Sequence, residues 1–188
     1  MWHSTVTDEH PDPPDGYDGP EALVRPKWLL EGAGVVTLFV LGWLARSHEL
    51  LIAADTTVLV GIITGVIALA VIHEGMHVAA SLALGHDPVI RLMPPAVYTV
   101  DTWGERRDDL VMLATPFVVL NLLGGLIWVL GTGDIALLGL GVIVVNTAVS
   151  VADLYVFGYL LAQPPETMTI VVETDDGLTE YVTRPQPE

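Results

Sequence analysis

The pentapeptide His73-Glu74-Gly75-Met76-His77 sets two imidazoles four residues apart, with a carboxylate beside the first. On a helix, positions i and i+4 share a face, so both rings reach one ion while the glutamate stands beside a water on that ion. Zinc held this way lowers the pKa of the water towards about 7, and the glutamate can take its proton during attack on a carbonyl. The chain contains no cysteine, which leaves His and carboxylate as the ligands for any metal. It also excludes a disulfide scaffold, an iron–sulfur site, a zinc ribbon and a thiol nucleophile.

A catalytic zinc takes three protein ligands and keeps one position open. The third is sought among the few polar residues of a strongly apolar chain. The stretch Thr57 to Leu84, which carries the motif, is 28 residues of mostly Val, Ile, Leu, Ala and Gly; as a helix it spans roughly 42 Å, enough to cross a bilayer with tilt or overhang. Three further apolar stretches, Trp28 to Ala45, Leu110 to Leu130 and Ile135 to Leu161, read as helices of spanning length. Within the interiors of the second, third and fourth helices the only acids are Glu74 and Asp153. A lone acid at membrane depth costs about 2.5–3.5 kcal/mol on insertion scales, so such groups normally serve a site. Asp153 lies eight residues before the end of the fourth helix and His77 seven before the end of the second, which sets the two level. Spacing excludes the metzincin alternative, since the third His would fall on Ala83, and His86 lies beyond the helix as a reserve.

Two neighbours of Asp153 belong to the same face. Asn146, two helical turns earlier, could donate to the oxyanion of peptide hydrolysis or to a substrate backbone, or it could make a structural hydrogen bond between helices. Ser150 could orient Asp153 or simply allow close packing.

The rest of the composition agrees with a membrane protein bearing acidic ends. The formal charge is −16, yet hydrophobic residues make up 52% of the chain and the mean hydropathy is +0.56. Six of the twenty-three acids lie in Met1 to Lys27 and six in Gln163 to Glu188. One lysine and six arginines cannot form a phosphate-binding face, so nucleic acid is excluded as a partner. Scarce lysine beside acidic tails fits a halophilic protein. The chain accordingly divides into an acidic disordered cytoplasmic tail (1–27), a transmembrane helical part (28–161) and an acidic cytoplasmic tail (162–188). With the N-terminus inside, Arg25, Lys27, Arg91, Arg106, Arg107 and Arg184 are cytoplasmic and only Arg46 is outside; the chain is therefore expected in the cell membrane, multi-pass, with both termini cytoplasmic.

Outside the helices, Pro88 to Val100 suits an edge strand or re-entrant segment. Thr167 to Glu173 and Leu178 to Thr183, flanking Asp-Asp-Gly, read as a hairpin. Gly131-Thr-Gly-Asp134 is a tight turn between the third and fourth helices, and Pro116 predicts a kink in the third. That Gly-x-Gly-Asp string sits in a turn and lacks the second aspartate an intramembrane aspartyl protease needs. No serine elbow is present.

The combination of His73-Glu-Gly-Met-His77 in one helix and Asn146-Thr-Ala-Val-Ser-Val-Ala-Asp153 in the last resembles the site-2 protease group of intramembrane metalloproteases. It is most similar to the small zincin peptidase family related to that group. The likeness covers Thr57 to Leu161. It implies a compact helical bundle with little soluble domain, which agrees with the fold read from the apolar stretches themselves: an all-α integral membrane protein of about four transmembrane helices with short β-like cytoplasmic segments. It further implies one Zn2+ per chain on His73, His77 and Asp153, with Glu74 as general base and Asn146 near the scissile bond. The site-2 pattern has glycine after its aspartate and proline after its asparagine, where this chain has Leu154 and Thr147. The expected activity is hydrolysis of peptide bonds in membrane-embedded or membrane-proximal proteins near the cytoplasmic leaflet. The alternatives are a structural metal site in a non-enzymatic membrane protein, in which His86 would close the coordination, and a metal-ion transporter.

Overall fold

The computed structural model describes residues 12–23, 27–47, 56–92, 95–98, 103–174 and 177–186. Apolar runs with few interior charges become helices because the chain satisfies its own backbone there while presenting hydrocarbon outward. The helices are α1 (Lys27–Ser47), α2 (Thr56–Ala83), α3 (Arg106–Leu130), α4 (Asp134–Val149) and α5 (Val151–Leu161). Short strands β1 (Glu21–Ala22), β2 (Val89–Leu92), β3 (Pro95–Tyr98) and β4 (Gly104–Glu105) fall between them, and β5 (Met168–Thr174) and β6 (Gly177–Thr183) follow. The protein is thus mostly helical with a small sheet.

Ile63–Ala83 of α2 and Arg106–Leu130 of α3 are long and apolar enough to cross a membrane. The α4–α5 pair makes a third span if counted as one, so two or three of the four expected spans are seen among the described residues. The outward faces of these helices are hydrocarbon: Val71, Leu122, Val129 and Leu138 are all exposed. Such surface is stable only against lipid or another apolar partner.

One expectation is corrected and another sharpened. The fourth helix, expected unbroken over Ile135 to Leu161, bends by 57° at Ser150 between α4 and α5. Hydrogen bonds continue across the bend, from the Ser150 N–H to the Asn146 carbonyl and from the Leu154 N–H to the Ser150 carbonyl. The bend therefore redirects the axis without unravelling it, and neither proline nor glycine marks it in the sequence. The edge strand expected within Pro88 to Val100 is seen as two: β2 and β3 pair antiparallel as a two-stranded sheet, with Val89 opposite Tyr98 and Leu92 opposite Pro95. Folding back on itself gives the segment internal partners for backbone groups that a lone strand would leave bare.

α3 and α4 form the antiparallel hairpin expected from the Gly-Thr-Gly turn. Gly133 takes φ +57°, a conformation that disfavours a side chain. Closer in, the helices touch backbone to backbone: a Cβ on Gly139 would meet the Trp128 nitrogen and lie 2.5 Å from the Gly124 oxygen. Small residues at such crossings let membrane helices gain packing that larger residues forbid. Gly139→Ala is accordingly expected to destabilise the chain by about 1–3 kcal/mol. Thermal denaturation in detergent checks this, and an unchanged midpoint would contradict the close crossing.

At the end of the bundle where α2 and α5 finish and α3 begins, the sheet runs in the order β1-β6-β5-β4. The β5–β6 hairpin lies where its sequence alternation placed it, with Ile170 opposite Tyr181 and Thr174 opposite Gly177. Of the N-terminal tail, residues 1–11 lie outside the described residues, while β1 pairs with β6 and Tyr17 bridges Pro185. Val156, Leu160 and Val182 form the buried centre between helix and sheet, with Leu23, Leu110, Leu113, Tyr155 and Tyr159 packed around it. Arg106, at the start of α3, donates from Nε to the Leu160 carbonyl at 2.6 Å and from Nη2 to that of Leu161 at 2.9 Å. It thereby caps the helix that carries Asp153, as a cation suits a helix C-terminus.

Candidate metal centre

α2 supplies both histidines. Four-residue spacing sets their rings on one face, edge to face, with centroids 5.0 Å apart and planes at 77°. The His73 side chain is 2% exposed, that of His77 12% and that of Asp153 16%. Just after the bend at Ser150, the first turn of α5 presents Asp153 to this face: its Oδ2 lies 3.0 Å from Nε2 of His73 and 3.4 Å from Nε2 of His77. One ligand atom from each of the three residues lies within 4.8 Å of the others, an arrangement able to hold a metal ion.

The opposite edges of the rings fix which nitrogen carries hydrogen. Asn146 is completely buried, and its Nδ2 donates to the carbonyls of Pro116 at 3.3 Å and Phe117 at 3.4 Å. Carbonyls only accept, so the amide orientation is determined and Oδ1 is the atom that faces Nδ1 of His73 at 3.1 Å. Nδ1 of His73 must therefore donate. Nδ1 of His77 faces the Met112 carbonyl at 3.0 Å and must donate as well. In neutral histidines both Nε2 atoms are then lone pairs. Two imidazole lone pairs and a carboxylate oxygen converge with no hydrogen among them, a constellation that repels itself unless a cation joins it. Two nitrogens and one oxygen fit the three-ligand set of a catalytic zinc.

Glu74 is half-buried, next in the chain to His73 and one helical turn before His77. His86 does not join the cluster. Its Nε2 lies 2.9 Å from Oδ2 of Asp108, tying the turn that follows α2 to the first turn of α3. His3, His10 and His48 lie outside the described residues. Ser150 is buried at the bend, and its hydroxyl has no hydrogen-bond partner among the described residues. Sequence reasoning missed Met112, because a backbone carbonyl carries no residue-type signal; the proline four residues on was the only trace.

Searches of curated proteins and of solved structures gave no match. A family model bearing the description "Putative zincin peptidase" matches residues 66–168, which run from the middle of α2 into the start of β5 and include His73, Glu74, His77, Asn146 and Asp153. The match covers more than half of the chain, and the chain belongs to that zincin peptidase family.

Proposed function

We propose that the chain is an intramembrane zinc metalloendopeptidase, related in mechanism to the site-2 proteases, that hydrolyses membrane-embedded or membrane-proximal peptide bonds near the cytoplasmic leaflet. Family membership suggests a metallopeptidase and implies zinc. The observation that carries the reading is the convergence of His73 Nε2, His77 Nε2 and Asp153 Oδ2 in helices apolar enough for a membrane.

His73, His77 and Asp153 would hold the metal, which supplies a Lewis acid and an acidified water. Glu74 accepts the proton of the attacking water and returns it to the departing amine nitrogen. Asn146 and the Met112 carbonyl hold the imidazoles with their Nδ1 edges turned away from the reacting groups. The surrounding apolar helices limit bulk water, which strengthens each charge interaction inside. A helical substrate has its carbonyls tied up in hydrogen bonds and must be unwound first. The β2–β3 hairpin, which packs through β3 against α2, offers a strand edge to which an unwound segment could add. The excess of basic residues at this end of the bundle supports a cytoplasmic position for it and for both termini.

The test is cleavage of a panel of single-helix transmembrane peptides reconstituted with the purified chain in liposomes and read by mass spectrometry. Products are expected with zinc, should vanish with a chelator and return when zinc is restored. No cleavage of any peptide by zinc-loaded protein would contradict the reading.

A further inference from the structure

Proline is rare in the middle of a helix because it lacks the N–H that would bond to the carbonyl four residues back, and its ring crowds that carbonyl. In α3 the proline is Pro116, fully buried, and the carbonyl it leaves without its helical donor is that of Met112. This same carbonyl faces Nδ1 of His77 at 3.0 Å. We infer that Pro116 is a positioning residue for the candidate metal centre: by withholding an N–H from Met112, it frees that carbonyl to accept the Nδ1–H of His77 and so aims Nε2 at Asp153.

The same turn of α3 acts on the other histidine. The carbonyls of Pro116 and Phe117 hold Nδ2 of Asn146, whose Oδ1 takes the Nδ1–H of His73. One proline-containing turn thus fixes both rings, directly for His77 and through Asn146 for His73. Partners behind ligating histidines set the tautomer and the ring orientation, and losing one typically costs about 10- to 100-fold in metal affinity. Restoring an N–H at position 116 closes the helical hydrogen bond and draws the Met112 carbonyl back towards its own axis. A helix former in place of proline also makes α3 a better helix. Metal affinity and helix stability should therefore move in opposite directions, which a purely architectural proline would not produce.

The inference rests on the reading of this cluster as a metal site. Its test is a zinc titration of the full chain in detergent, with Co2+ as a spectroscopic probe, for wild type and Pro116→Ala. Zinc binding at least tenfold weaker, an altered Co2+ visible spectrum and a thermal midpoint no lower than that of wild type are expected. Replacing Pro116 with lactic acid, which has the shape of alanine but no N–H, should restore wild-type affinity. Wild type that binds zinc alongside Pro116→Ala with equal affinity and an identical Co2+ spectrum would overturn the positioning role and leave the metal centre standing. Wild type that binds neither ion would overturn the metal centre and this role with it. Should Pro116→Ala fail to fold, nitrogen NMR of zinc-loaded wild type decides: hydrogen on Nδ1 of His77 is expected, and hydrogen on Nε2 overturns the assignment.

Discussion

Glu74→Gln should remove peptide hydrolysis while leaving the metal in place. Glutamine keeps the shape and the half-buried position of the side chain but cannot accept a proton from water at neutral pH. General-base assistance is worth about 10²- to 10⁴-fold, so turnover should fall at least about 100-fold. Metal content should not follow, because the converging ligand atoms come from His73, His77 and Asp153 and not from Glu74. Parallel measurement of peptide cleavage and bound zinc checks both halves. Full activity would remove Glu74 from the proposed chemistry, and loss of zinc with activity would make it a ligand.

Asp153→Ala should have the largest effect on metal binding itself. Among the described residues, Asp153 is the only carboxylate paired with His73 and His77, its Oδ2 lying 3.0 and 3.4 Å from their Nε2 atoms. Its removal leaves two neutral imidazoles from a single helix. It also deletes the only ligand contributed by α5, uncoupling the metal from the packing of that helix on the sheet. The loss of affinity should exceed the roughly 10- to 100-fold typical of an outer partner. His86→Ala is the matched control: that histidine is paired with Asp108, away from the cluster, and its loss should leave zinc affinity unchanged. Equilibrium dialysis against buffered zinc measures both variants, and equal affinity in Asp153→Ala and wild type would sink the three-ligand assignment.

Much of this arrangement was legible in residue types because a membrane restricts them so strongly. Hydrocarbon tolerates few acids, so Glu74 and Asp153 stood out, and the i, i+4 spacing of His73 and His77 needed only a helix to become a shared face. Counting residues to the helix ends was enough to set Asp153 level with His77, and the structure brings their side chains together. The β5–β6 hairpin was equally plain, since it is local and carries its own turn.

What escaped sequence reasoning has physical causes. The bend at Ser150 occurs in a run of Thr, Ala, Val and Ser with no proline or glycine, so no residue that breaks helices announces it. β1 and β4 are two-residue strands whose partners lie far along the chain, so no local periodicity announces them. Pro116 was visible as a breaker of regular helix, but its consequence, a carbonyl released towards His77, depends on which helix stands beside it. The role of Met112 is of the same kind, since it arises from the meeting of α2 and α3; Asn146 was singled out by its spacing from Asp153, with an interhelical hydrogen bond as one reading, but its partners His73, Pro116 and Phe117 were not.

If three side chains from α2 and α5 make one metal centre, the protein should carry its metal through purification. Elemental analysis of the full chain, purified in detergent without chelators, should find about one zinc per chain, in keeping with three protein ligands and an open position. Absence of zinc, persisting after zinc is added back and the excess removed, would contradict the account and leave the cluster as polar contacts between helices.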